Sequence, residues 1–234
     1  MCPKSKRRLI INDGFNPELA EGAKFEGIFQ FPIIKPTKEI ILPKYLVPFS
    51  ERNKITNPEK TFVVFYEHDD KFTDLIKHPD KYIVDLSRFA GTISPDNSLY
   101  RDTPLACQIC NIYRNRLIGS YLQRQGILVI PNLRWGDERT YDKGLFGEAV
   151  AFSSAPKCSV VAVGCYGCIR SKENRQYFVE GFFKMLDELE PIAVIVYGKL
   201  PENIINLFHA KTKLIIYNDW TSVRHGKHPI YGQW

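Results

Sequence analysis

The chain has 234 residues, a net charge of +6, 44% apolar and 13% aromatic content, which is the composition of a folded globular protein and excludes a disordered one. Its apolar runs, such as 159–164 and 192–197, are too short to cross a bilayer, and the basic start MCPKSKRRLIIN has too little apolar sequence for a signal peptide. A cytoplasmic protein without membrane contact is therefore expected. Of the 32 Lys and Arg, Lys4, Lys6, Arg7, Arg8, Arg224 and Lys227 lie near the two ends, which leaves 26 against 26 acids in the body. The excess charge thus belongs to the termini, either as frayed ends or as arms that touch phosphate.

Residues 1–60 hold seven of the fifteen prolines, which predicts short extended pieces and turns. Within them, 25–34 reads as one strand broken at Pro32. TFVVFY at 61–66 is a buried strand, 71–77 a short helix, 82–89 ambiguous, and 91–94 a short strand stopped by Pro95. The spacing predicts a long helix over 104–125, with Thr103 as cap, Pro104 in the first turn and Gly126 at the end. Leu105, Ile109, Ile112 and 117–121 supply its apolar face. Strands follow at 128–131, 159–164, 192–197 and 213–217, with helices at 174–189 and 202–209. Apolar strands alternating with helices predict an α/β fold with a mainly parallel sheet and flanking helices, open three-layer or partial barrel-like. The expected organisation is an irregular Pro-rich part, 1–60, packed on an α/β body, 61–223, with a basic tail, 224–234.

In such folds ligands bind beyond the carboxyl ends of the strands. Four of those ends carry polar clusters: Glu67, His68, Asp69 and Asp70; Asp96 with 100–102; Asn132, Arg134, Trp135, Asp137 and Glu138; and the CYGC turn with Arg170. They are expected to share one site. Carboxylates beside arginines suit phosphate chemistry, in which a metal polarises a phosphate oxygen and arginine neutralises developing charge. The catalytic candidates are Asp96, Asp137, Glu138 and Asp142. Glu67, Asp69, Asp96 and Asp137 are the candidates for holding a divalent metal, Mg²⁺ or Mn²⁺. Arg101, Arg114, Asn115, Arg116, Arg134 and Arg139 are candidates for phosphate, and Trp135 and Tyr141, with Tyr100 and Tyr113, for stacking on bases. The competing reading is a set of Arg–Asp pairs that pin loops together. Gln108, Asn111 and Asn115 form one polar row on the long helix, for a ligand or for a buried hydrogen-bond network. Of six cysteines, CQIC at 107–110 and CYGC at 165–168 have zinc-ligand spacing. Zinc is disfavoured because the first pair falls inside a helix, and packed thiols are the default. His225 and His228 lack evident co-ligands, and no Walker A, GxSxG or HExxH motif is present.

At SPDNSLYRDTPL, NIYRNRLIG, VIPNLRWGDERTYD, VVAVGCYGCI and AVIVYG the chain resembles a family of bacteria, prophages, phages and mobile elements catalogued as a domain of unknown function. The resemblance covers 62–197 and leaves out the 107–110 cysteine pair. It implies a phage- or plasmid-linked role, such as nucleic-acid handling or host-defence interference, and assigns no catalytic residue. The leading expectation is a nucleic-acid-binding protein that hydrolyses phosphodiesters with a divalent metal, as a nuclease would. The alternatives are a non-catalytic binder of a nucleotide-like small ligand and a protein–protein adaptor.

Overall fold

The computed structural model describes residues 14–37 and 40–226. Most of the basic termini, Cys2 and His228 lie outside the described residues. The chain begins with a small antiparallel hairpin, β1 (Phe25–Glu26) and β2 (Phe31–Pro32). It continues through β3 (Tyr45–Pro48), β4 (Thr61–Val64), α1 (Thr73–Lys77), α2 (Ile83–Leu86), β5 (Gly91–Ile93), α3 (Leu105–Arg124), β6 (Val129–Ile130) and α4 (Glu138–Tyr141). Next come β7 (Val160–Gly164), α5 (Lys172–Leu189), β8 (Ala193–Tyr197), α6 (Glu202–His209), β9 (Lys213–Tyr217) and α7 (Trp220–Arg224).

Strands β3 to β6 pair in parallel and in sequence order, and so do β7 to β9. A bridge between Asn132 and Ala162 joins the two runs, where Leu133 N–H donates to Ala162 O at 2.8 Å and Ala162 N–H to Pro131 O at 2.9 Å. One parallel sheet of seven strands results. Its inner face contributes a single apolar cluster that draws on every strand: Leu46, Phe62, Val64, Ile93, Ile130, Val160, Ala162, Ala193, Ile195 and Ile215 among others. Tyr217, on the last strand, meets Pro43, which leads into the first, and a flat sheet could not bring these together, so the sheet is curled. Tyr217 Oη donates to Pro43 O at 2.6 Å across the gap, but among the described residues no strand pairing closes β9 on β3. The architecture is partial barrel-like, which decides between the two forms expected.

The outer face is covered as well. Val47, Val63 and Val129 pack with Phe72, Leu75, Ile118 and Leu122. Val161, Val163, Val194, Val196 and Leu214 pack with Phe178, Phe182, Met185, Leu189 and Phe208. Burial on both faces is why these strands read as unbroken apolar runs, and each fully buried side chain contributes roughly 1.5–3 kcal/mol.

Two local expectations are corrected and one is filled in. The 25–34 segment is a hairpin, because Gly27 at φ +76° and Gln30 at φ +52° turn the chain between β1 and β2. A side chain at 27 would overlap Ser153 and the Glu148 carboxylate, so glycine is required there. The irregular N-terminal part supplies the first strand of the sheet, β3, which has a single partner and ends on Pro48, as an edge strand tolerates. Thr103 does not cap α3: its Oγ1 donates to Tyr100 O at 2.6 Å, and Pro104 occupies the cap position.

Candidate functional site

The loops that leave β4, β5, β6 and β7 converge at the carboxyl-end mouth of the curled sheet and line a cavity of about 610 Å³. From them come Tyr66, Glu67 and His68; Asp96, Tyr100, Arg101 and Asp102; Arg134 and Trp135; and Tyr166, Cys168 and Arg170. Asn174 and Tyr177, in the first turns of α5, complete the wall. Part of each of the four polar clusters thus meets at one site.

A buried polar chain forms the inner end of this cavity. Tyr66 Oη donates to Asn132 Oδ1 at 3.0 Å, and Asn132 Nδ2 donates to Asp96 Oδ1 at 2.7 Å. Arg134 Nη1 stands 3.4 Å from Asp96 Oδ2 and donates to Cys168 Sγ at 3.2 Å. Asn132 is itself fixed: its N–H donates to Ser94 Oγ at 2.8 Å and its carbonyl accepts from Arg116 Nη1 at 2.9 Å. Burial raises the Asp96 carboxyl above its ordinary value, against the opposing pull of Arg134 and Asn132. Burial, with Asp96 nearby, raises the Tyr66 phenol as well. Burial works against the Arg134 cation, but Asp96, Cys168 and Tyr66 outweigh it and hold the guanidinium firmly charged. The Tyr66 ring stacks on Tyr197 with centroids 4.9 Å apart and lies over Gly164, where any side chain would collide with it.

Arg134 is mostly buried, with 17% of its side chain exposed, and the protein engages only its Nη1 group. The Nε and Nη2 donors have no protein acceptor among the described residues. A buried cation with an unfilled pair of donors in a cavity wall suits a planar anionic group, carboxylate or phosphate. At the rim two aromatic–arginine pairs stand ready to stack: Arg101 over Tyr177 at 5.5 Å and Arg170 over Tyr166 at 5.4 Å. Arg101 is also paired with Glu173.

Of the residues singled out from sequence, Glu67, His68, Asp96, Tyr100, Arg101, Asp102, Arg134, Trp135, Cys168 and Arg170 line the cavity. Trp135 does so as part of the core rather than as a free stacking platform. Its ring packs on Phe152 and Phe178 at 5.9 and 5.7 Å and its Nε1 donates to Tyr177 O at 3.1 Å. The others do not line it, each for a physical reason. Asp137 caps α4 by accepting from Arg139 N–H at 3.1 Å, and grips the Arg139 guanidinium at 2.8 and 2.7 Å and Gln108 Nε2 at 3.1 Å. Burial pushes its carboxyl up, but those hydrogen bonds prevail and hold it below its ordinary value. Arg139 in turn reaches Arg101 O at 2.8 Å, so this pair pins the loop after β5 to α4. Glu138 is exposed on α4, and Asp142 is bridged to Lys184 at 3.2 Å. Tyr141 is buried with its hydroxyl donating to Glu180 at 2.8 Å.

On α3, Arg114 donates to Asn111 Oδ1 at 2.8 Å and stands 5.2 Å from the Phe15 ring. Asn115 accepts from Asn97 N–H and Nδ2 at 2.8 and 2.7 Å, and Asn111 Nδ2 donates to Ser98 O at 2.7 Å. The amide row is therefore a buried network that shapes the loop carrying Asp96. Arg116, 1% exposed, donates to the carbonyls of Ser153, Asn132 and Ala151 at 3.0, 2.9 and 2.8 Å and does not line the cavity. The expected metal set is not assembled. Ser50 occupies both oxygens of Glu67, at 3.0 and 2.5 Å, and Ser98 those of Asp69, at 3.1 and 2.9 Å. Among the described residues no three His, Cys, Asp or Glu lie together as a metal would require. Among the described residues the two CxxC pairs are not gathered into such a group either.

Asn132 and the CYGC turn with Cys168 stand among the strand-end clusters expected to share the site, whereas Tyr66, which lines the cavity, is not singled out by the sequence. Tyr66 had one usable signal, a polar group at the end of an apolar run. Among the described residues no helix is long and apolar enough to cross a membrane.

A family model described as "Domain of unknown function (DUF4417)" matches residues 23–218. The chain is similar to the "Gene 1 protein" of Mycobacterium phage D29, 31% identical over 136 residues, which cover 58% of this chain and 48% of that protein. It is also similar to the "Gene 1 protein" of Mycobacterium phage L5, 28% identical over 174 residues, covering 74% and 72%. The chain thus spans about half the length of the D29 protein. No solved structure matches it.

Proposed function

The chain belongs to the family described as "Domain of unknown function (DUF4417)", and from that premise we propose that its cavity binds a nucleotide-sized ligand through an anionic group held by Arg134. The observation that carries this reading is the unfilled donor edge of a buried arginine in a cavity large enough for such a ligand. The Arg101–Tyr177 and Arg170–Tyr166 pairs offer faces for a base. The relatives' origin in mycobacteriophages supports a phage-linked role. The test is calorimetric titration with nucleoside mono-, di- and triphosphates. Micromolar binding by the wild type, lost in Arg134→Gln while the fold persists, supports the reading. Equal binding by both proteins refutes it.

One observation favours a second reading, hydrolysis of a phosphodiester. The Asp96 carboxyl, raised above its ordinary value, stands beside a cation able to neutralise charge in a phosphoryl-transfer transition state. End-labelled single- and double-stranded DNA and RNA, incubated with Mg²⁺ or Mn²⁺, test this through Asp96→Asn rather than through Asp137. Cleavage lost in a folded Asp96→Asn protein supports a nuclease, and intact substrate with wild type removes it for those substrates. The partner also follows from salt. Affinity that falls steeply with ionic strength identifies a nucleic-acid strand, and a shallow dependence identifies a small nucleotide.

A further inference from the structure

The turn that follows β7 carries two thiols, a buried Cys165 and, in the cavity wall, Cys168. Cys165 and Cys168 stand three apart in a turn closed by a hydrogen bond from Cys168 N–H to Cys165 O at 3.1 Å. A turn of that kind keeps its end Cα atoms within about 7 Å, the span that a disulfide needs. Gly167 inside the turn has φ +83° and open space around it, so the turn can adjust without displacing a neighbour.

The two sulfurs have opposite surroundings. Cys165 is 1% exposed and donates toward Tyr197 O at 3.3 Å and Lys199 O at 3.6 Å. Burial pushes its thiol up to about 12. Cys168 is part-exposed, lines the cavity, and its Sγ accepts from Arg134 Nη1 at 3.2 Å. An accessible sulfur beside a cation, with a buried sulfur one turn away, is the arrangement of an attacking and a resolving thiol. Cys107 and Cys110 have the same spacing in the first turns of α3, but no cationic side chain donates to either sulfur and neither lines the cavity.

We propose that Cys165 and Cys168 form a dithiol–disulfide couple in the cavity wall, and that oxidation withdraws the Cys168 sulfur from Arg134 and frees that donor for an anionic ligand. With a low-molecular-weight disulfide as oxidant, the Cys168 sulfur attacks one sulfur of the oxidant. The oxidant's S–S bond breaks and one small thiol leaves. Cys165 gives its proton to solvent, attacks the Cys168 sulfur, and displaces the second small thiol. Two protein thiols lose two electrons and two protons, and the oxidant is reduced to two thiols. The second half of the proposal rests on the ligand reading given above, and the first half does not.

The experiment equilibrates the full chain with reduced and oxidised glutathione, then reads intact mass and mapped peptides. The expected result is loss of two hydrogens, with the cross-link in the peptide that holds 165–168. It is abolished in Cys165→Ser and in Cys168→Ser, and kept when Cys107, Cys110 and Cys158 are all changed to serine. A cross-link confined to 107–110, or glutathione left attached at Cys168 without a cross-link, overturns the couple. A second arm titrates ATP and inorganic phosphate into the reduced and the oxidised protein. Binding about threefold tighter after oxidation, the worth of one weak hydrogen bond, is expected. Equal affinity overturns the switch. Absence of binding in both states refutes the ligand reading and the switch that rests on it, and leaves the couple to be judged by the masses.

Discussion

Replacing Arg116 by methionine removes a cation that sequence alone assigns to phosphate and that the fold uses as an internal clamp. The guanidinium is 1% exposed and donates to three carbonyls, at 3.0, 2.9 and 2.8 Å, from Ser153, Asn132 and Ala151. Methionine fills similar length but donates nothing, so three buried carbonyls lose their donor. Each orphaned acceptor costs about 1–3 kcal/mol. Against this stands the relief of burying a charge: burial alone lowers the Arg116 value to about 10. Taking about 2 kcal/mol per carbonyl and leaving that relief to offset about half of the sum, the net loss is about 3 kcal/mol. For a domain of this size that corresponds to a melting point lower by roughly 6–12 °C. Urea unfolding followed by far-UV circular dichroism measures it, with thermal melts as a check. A loss under about 1 kcal/mol would refute the clamp. So would unchanged stability together with ligand binding weakened as severely as in Arg134→Gln.

Arg134→Gln is expected to weaken ligand binding at least tenfold, the cost of about one charged hydrogen bond, and also to lower stability by leaving Asp96 without its cation, with calorimetry of unfolding showing that the variant is still folded at the titration temperature. Asp137→Ala should cost about 2 kcal/mol in urea unfolding, through the lost cap and the orphaned Gln108 and Arg139, and leave ligand affinity intact; lost affinity at full stability would return Asp137 to the site. Asp96 sets a pH test. Its folded value is raised, so the folded state holds the proton more tightly than the unfolded one, and wild-type stability falls as pH rises from the ordinary carboxylate value through the Asp96 value. Asp96→Asn lacks that component, so its stability relative to wild type should increase across this window; a pH-independent difference between the two proteins contradicts a raised Asp96. Gly164→Val should displace Tyr66 from its stack on Tyr197 and lower both stability and ligand affinity, read by melting and titration, whereas a wild-type melting point would show that the ring has room to move.

Much of the architecture was legible because it is local. The apolar runs at β4, β7, β8 and β9 and the long α3 follow from side-chain pattern and from proline and glycine punctuation. That pattern fixes a parallel α/β fold, and with it the end of the sheet where a site would lie. It could not find β3, since four residues between prolines carry too little periodicity, nor choose between an open and a curled sheet. That choice rests on whether Pro43 and Tyr217, far apart in sequence, meet across the gap. The polar residues divide in the same way. The sequence placed charge at four strand ends, and the cavity does unite Glu67, Asp96, Arg101 and Arg134. Composition cannot tell a charge that faces ligand from one that faces a carbonyl. Only the tertiary structure turned Arg116 inward to three backbone oxygens, tied Asp137 to Arg139, gave the amide row to the loop of Asp96, and left one edge of Arg134 without a protein acceptor. A side chain's partner is set by the distance between segments after packing, and that distance is not written in the spacing of the residues along the chain.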